Sequence, residues 1–189
     1  MSQTAISILS IGELATRASP YRRILVPTDG SELSSFAVEQ AIALAASTDA
    51  ALVFLTVNEP FHLLTTSTEM IEASREEYER QSEAHADRIL EKVGAAALEA
   101  GVPFITVRNW NDDPFREIIK VAEDRCCELI AMGSHGRRGF AAMMLGSVTN
   151  KVLTHSTLPV LVIRKYGDAS KMLRSPVEET PQFLAQGVG

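Results

Sequence analysis

The stretch that decides the fold is LIAMGSHGRRGFAAMMLGSVT, residues 129–149. Leu129, Ile130, Ala131 and Met132 make a short apolar run of the kind that forms a buried strand in a parallel sheet. Gly133 interrupts the run, Gly136 and Gly139 follow, and Gly146-Ser147 precedes Val148-Thr149-Asn150-Lys151-Val152-Leu153, which reads as a helix. Strand, glycine loop, helix start is a grammar that builds an anion site. Glycine lets the backbone approach a ligand with no Cβ in the way and tolerates positive φ. The N–H groups of a helix's first turn point outward and carry the positive end of the helix dipole. Ser147 is expected at the N-cap, where it adds a hydroxyl. A phosphate chain is the ligand such a surface suits best. The glycine spacing excludes two common phosphate loops: no Gly-Lys-Ser/Thr completes a Walker A sequence, and no GxGxxG dinucleotide fingerprint is present.

Working outward, the same alternation of strand and helix recurs. Ile24-Leu25-Val26 reads as a first buried strand, closed by Pro27-Thr28-Asp29-Gly30. Ser31 is placed to cap a helix over residues 32–47, whose apolar positions Phe36, Ala37, Ala41, Leu44 and Ala45 recur at helical spacing. Residues 51–57 form a second strand, ended by Asn58-Glu59-Pro60, and residues 61–69 read as a loop. A long helix is expected over residues 70–100. Arg75 with Glu79 and Glu76 with Arg80 can pair on its wet face, Ile89, Leu90, Val93 and Ala97 mark its buried face, and Gly101 stops it. Residues 104–107 make the third strand; Asp113 at the N-cap and Pro114 at the first helical position open the next helix. Residues 160–163 make the fifth strand. This order argues a single α/β domain with a parallel sheet.

Composition narrows the function classes. The chain has 189 residues, 46% of them apolar, and a net charge of −6 with no basic stripe, which argues against nucleic acid as a partner. No apolar run reaches the roughly 18 residues that a membrane helix needs. Residues 4–11 are mildly apolar, but no basic residue precedes them and Glu13 follows, so they do not read as a secretory signal. The two cysteines, Cys126 and Cys127, are adjacent and do not make a disulfide framework; a cytoplasmic location is expected. The four histidines show no metal-ligand spacing, and Ser134-His135 lacks the context of a catalytic triad.

Jointly these motifs resemble the universal stress protein family. Gly133-x2-Gly136-x9-Gly146-Ser147 after IAMGSHGRRG is similar to that family's ATP-binding signature. RILVPTDGS (residues 23–31) looks like its first strand and turn, LGSVT (residues 145–149) like its helix start, and LPVLVIR (residues 158–164) like its last strand. The resemblance covers about residues 21–165, with residues 1–20 as an N-terminal extension and 166–189 as a tail. It implies a doubly wound sheet of strand order 3-2-1-4-5, so that strands 1 and 4 are neighbours at the switch point where such sheets bind ligands. One departure stands out: the family pattern carries a glycine just before the Asp113-Pro114 turn, and this chain does not.

The residues expected to bind nucleotide follow from both readings. Asp29 either caps its turn or accepts hydrogen bonds from ribose hydroxyls and helps hold Mg²⁺ through water. Pro27 and Thr28 would line the adenine side; the resemblance implies that Val57 offers backbone groups to the adenine edge and adds Met132 to the pocket. Gly133, Gly136, Gly146, Ser147 and Val148 would cradle phosphates, with Thr149 either a second hydroxyl there or a plain first-turn residue. Arg137 either screens phosphate charge or is simply solvated. The leading expectation is therefore a stress-response module binding ATP, or ADP or AMP, with Mg²⁺. The resemblance also implies a homodimer, for which Val160-Leu161-Val162-Ile163 is an apolar sheet edge in need of a partner. A slow ATPase or autophosphorylating enzyme is the alternative, although no general base is evident; a nucleotide-independent dimeric interaction module ranks behind it.

Overall fold

The computed structural model describes residues 21–61, 68–134 and 145–164, with the backbone alone for 68–74. Five strands and four helices alternate among them. They are β1 (Arg23–Pro27), α1 (Glu32–Thr48), β2 (Ala51–Asn58), α2 (Thr68–Glu99), β3 (Phe104–Trp110), α3 (Pro114–Asp124), β4 (Leu129–Gly133), α4 (Ser147–His155) and β5 (Val160–Ile163). Every strand pair is parallel and the order is β3-β2-β1-β4-β5, the doubly wound α/β sheet expected from the sequence.

Parallel strands joined by helices must be covered on both faces, and the period-2 alternation of side chains sorts the apolar residues into two cores. Ile24, Val26, Leu52, Phe54, Leu129 and Ala131 face α1 and α2. Leu25, Val53, Leu55, Ile130 and Met132 face α3 and α4. The central strands are the best buried: Ile24, Leu25, Val26, Phe54 and Leu55 have no exposed surface. Phe54 meets Phe104 with ring centroids 5.9 Å apart. Gly94 lets α2 lie this close, because a Cβ there would come within 2.9 Å of the Phe104 ring.

Boundaries differ from the sequence reading in instructive ways. β3 runs to Trp110 rather than ending near 107, because β2 offers it a ladder partner at every position from Leu52 to Asn58. α2 starts at Thr68, so the loop expected over 61–69 gives up its last two residues to the helix. On α2, Arg75 and Glu79 pair at 3.5 Å as expected, whereas Arg80 turns to Glu77 rather than Glu76; three and four residues are equally good spacings for a helix-surface pair. The extensions 1–20 and 166–189 lie outside the described residues.

The adjacent cysteines occupy opposite environments. The chain turns at Cys126 with φ 50°, which leaves Cys126 exposed and Cys127 buried, both as free thiols. Burial pushes the Cys127 thiol up from its ordinary 9.0 to about 11, only partly countered by the nearby Arg23 charge. At pH 8 one thiol per folded chain, Cys126, is expected to react quickly with a disulfide reagent and the second only after denaturation. Titration of a Cys126→Ser variant checks the assignment, since its fast phase should vanish.

Candidate functional site

The β1–α1 turn is built by a chain of short polar side chains. Thr28 is buried, and its Oγ1 lies 2.6 Å from the Ser34 Oγ. The backbone N–H groups of Asp29 and Gly30 donate to Ser34 Oγ and Thr28 Oγ1, at 3.2 and 3.3 Å. Asp29 Oδ1 accepts from the Ser31 N–H at 3.0 Å, and Ser31 caps α1 by accepting from the Ser34 N–H at 3.3 Å. Asp29 thus stabilises its own turn, two residues beyond the end of β1. Gly30 closes the turn with φ 75°, and a Cβ there would sit 2.8 Å from Ile89 Cδ1. The positive φ is what favours glycine here.

This turn is locked to β2. Thr28 N–H donates to the Leu55 carbonyl at 2.8 Å, and Thr56 Oγ1 donates to the Thr28 carbonyl at 3.1 Å. Val57, half-buried, follows at the end of β2 and packs against the core that includes Met132. One residue further on, the Asn58 side-chain Nδ2 is buried with no hydrogen-bond partner among the described residues. On the other side of β1, β4 ends at Gly133, and the glycine loop leaves from buried Ser134. Residues 135–144 lie outside the described residues, and with them Gly136 and Arg137, but both ends of the loop are fixed. Ser134 N–H donates to the Ile163 carbonyl at 2.9 Å, Gly146 N–H donates to the Ser134 carbonyl at 2.7 Å, and Thr149 Oγ1 donates to the Gly133 carbonyl at 3.0 Å.

The start of α4 corrects one expectation. Ser147 is not the N-cap: Gly146 is, with extended φ −59° and ψ 151°, and its carbonyl accepts the Asn150 N–H at 2.9 Å to close the first turn. Ser147 is thus the first helical residue, exposed, and among the described residues no side chain caps the helix. The opening N–H groups of α4 carry the positive end of its dipole with no carboxylate in the first turn to answer it. Thr149 is 3% exposed and spends its hydroxyl on Gly133, so it positions the loop's two ends.

The structure adds residues that the sequence reading did not single out. Ser34, Thr56 and Ser134 are buried polar side chains around the crevice. At the end of β3, Glu117 of α3 is buried and accepts from the Asn109 and Asn111 side-chain amides at 2.6 and 2.8 Å. Asn111 Oδ1 in turn accepts the Asp113 N–H at 2.9 Å. Asp113 does occupy the N-cap position, yet its carboxylate turns away to Arg116 Nε at 3.1 Å. This asparagine clasp forms the turn between β3 and α3. Its signal was the Asn-x-Asn alternation on one strand face, followed by a carboxylate inside an otherwise apolar helix stripe.

The chain is thus a doubly wound α/β domain with a helix start at the switch point of its sheet, the place where sheets of this class leave a crevice at their strand ends. The particular family is shown by comparison. The profile of the universal stress protein family matches residues 20–164, and the chain belongs to that family. Universal stress protein YxiE of Bacillus subtilis is 35% identical over 148 residues, which cover 76% of this chain and 99% of YxiE. The solved universal stress protein UspA from Lactobacillus plantarum superposes with a TM-score of 0.68 at 24% identity, covering 77% of this chain and 99% of its own, and shares the fold. A universal stress protein solved in complex with cAMP superposes with a TM-score of 0.58 at 25% identity, covering 77% of this chain and 98% of that one. At least some relatives of this fold therefore bind adenine nucleotides.

The role of Thr149 is testable without any ligand. Thr149→Val keeps the shape and removes the donor to the Gly133 carbonyl, so urea denaturation is expected to show a loss of about 1–2 kcal/mol. An unchanged midpoint would mean that the loop ends are not held by this bond.

Proposed function

We propose that this chain binds ATP, or ADP or AMP, with Mg²⁺, in the crevice between the β1–α1 turn and the β4–α4 glycine loop. It acts there as a cytoplasmic stress-response module rather than as an enzyme with its own catalytic group. The observation that carries this reading is the convergence, at one switch point, of a tightly braced Asp29 turn and an uncapped helix start opened by glycine. In this reading the N–H groups at Ser147 and Val148 meet phosphate, assisted by Gly133, Gly136 and Gly146 and by the Arg137 charge. Pro27, Thr28, Val57 and Met132 form the base and sugar side, and Asp29 meets ribose hydroxyls or water on the metal. The buried, partnerless amide of Asn58 beside Val57 supports a polar ligand edge at that end. Among the described residues no three His, Cys, Asp or Glu side chains come together. Mg²⁺ would therefore ride on the phosphates, with Asp29 as an outer contact. The cAMP-bound relative supports the adenine preference.

The direct test is the nucleotide released when the purified protein is denatured. An adenine nucleotide is expected from the native chain and none from a folded Gly146→Asp variant, which places a side chain and a negative charge where phosphate is proposed. A native protein that is empty and also fails to take up millimolar Mg-ATP would remove the proposal.

We also propose that the protein is a homodimer through β5. Among the described residues this strand pairs with β4 alone and leaves its other edge open, and Leu161 is 40% exposed. Leu161→Asp is expected to halve the mass in sedimentation equilibrium without unfolding the chain; an unchanged mass would place any dimer contact elsewhere.

A further inference from the structure

A second concavity lies outside the crevice, on the face of the sheet covered by α1 and α2. The two helices leave a groove of about 270 Å³ between them. Its floor is apolar, formed by the buried Val38 of α1 with Ile89 and Val93 of α2. Arg88 and Lys92, one helical turn apart on α2, stand on its rim, with Glu39 facing them from α1. One end of the groove opens at Thr28 and Gly30, the turn described above.

Among the described residues, the rim cations lack the carboxylate partners that several other cations of this chain hold. Arg75, Arg80, Arg108, Arg116 and Lys120 are each paired with a carboxylate. Arg88 and Lys92, both exposed, hold no ion pair among the described residues. On a protein of net charge −6, two adjacent unpaired cations above an apolar floor mark a place for an acidic segment with apolar flanks.

The chain carries such a segment itself. Beyond the described residues, Pro176-Val177-Glu178-Glu179-Thr180-Pro181-Gln182-Phe183-Leu184 places two carboxylates between Val177 and the Phe183-Leu184 pair, with no basic residue. Its two prolines restrict the free chain and lower the entropy lost on docking. Reach is sufficient. β5 ends at Ile163, at the same carboxyl end of the sheet as Thr28 and Gly30. Two strand spacings separate β5 from β1, roughly 10 Å, and the helix layer adds roughly 10 Å more. The residues from Arg164 to Pro176 can span about 40 Å when extended.

We propose that residues 176–184 dock in the α1–α2 groove of their own chain, with Glu178 and Glu179 against Arg88 and Lys92 and the apolar flanks on Val38, Ile89 and Val93. The segment would then abut the Gly30 turn, so that the groove and the nucleotide crevice share one wall.

The experiment is zero-length carbodiimide cross-linking of the full chain at low concentration, read by peptide mass spectrometry on a mixture of ¹⁵N-labelled and unlabelled protein. Links from Lys92 to Glu178 or Glu179 are expected at least tenfold above those from the comparably exposed Lys120 and Lys151, and within single chains. Arg88→Glu leaves the reporting lysine in place and is expected to lower that yield several-fold while the far-ultraviolet circular dichroism is unchanged. Equal yields at all three lysines, or indifference to Arg88→Glu, would overturn the proposal. Links found only between labelled and unlabelled chains would also overturn it, giving the groove to a second copy.

Discussion

Parallel pairing of β1 with β4 is the constraint on which the rest of the molecule depends. Ile24 lies beside Leu129 and Leu25 beside Ile130, so two segments more than a hundred residues apart in sequence end side by side. From β1 the chain winds outward through β2 to β3; from β4 it winds the other way to β5. The helices following these two central strands cover opposite faces, α1 with one core and α4 with the other. The ends of β1 and β4 are therefore left with no helix crossing between them, and a crevice opens there by topology alone. Nothing about the side chains at that place is needed to create the crevice. They are needed to keep its walls still.

The walls are held by short hydroxyl side chains acting on backbone groups. Thr28, Ser31 and Ser34 brace the first turn, Thr56 ties it to β2, and Thr149 ties α4 to the end of β4. Short side chains lose little rotamer freedom when fixed, and a buried hydroxyl can satisfy a carbonyl that the strand ladder no longer reaches. The result is a rigid frame on both sides of a loop rich in glycine. A frame of this kind suits a ligand that contributes its own charge and hydrogen-bonding groups, because the backbone N–H groups at Ser147 and Val148 are positioned before any ligand arrives.

Much of this was legible in the sequence because it rests on local signals. The apolar runs at residues 24–26 and 129–132, the glycines at 30 and 133, and the cap at Ser31 each follow from periodicity or from backbone sterics, and the strand order came with the resemblance. What escaped was non-local. The length of β3 is set by its partner strand, not by its own composition: Arg108, Asn109 and Trp110 make an unpromising strand end until Thr56, Val57 and Asn58 lie alongside. The N-cap of α4 slipped from Ser147 to Gly146 because a helix boundary is set where the backbone changes conformation, and a hydroxyl one residue later cannot move it. Asp113 was placed correctly, but its carboxylate found Arg116, while the amide of Asn111 took the backbone N–H.

The Asn109–Glu117–Asn111 clasp shows how a turn can be made without glycine. A glycine before the α3 turn makes the bend by backbone freedom, at a cost in chain entropy. Here the bend is made by side chains instead. Glu117 is 7% exposed and would be costly to bury as an ion without partners, yet two amide donors converge on its two oxygens. That arrangement constrains Asn109, Asn111 and α3 at once, so the β3–α3 turn is fixed from the helix side rather than by its own φ and ψ values. The same substitution of side-chain hydrogen bonds for backbone permissiveness is absent at Gly30. There the backbone runs at φ 75°, which glycine adopts without strain, with the Ile89 side chain packed close over the turn. The β1–α1 turn thus combines a positive-φ glycine with side-chain bracing, whereas the β3–α3 turn is held by amide side chains on a buried helix carboxylate.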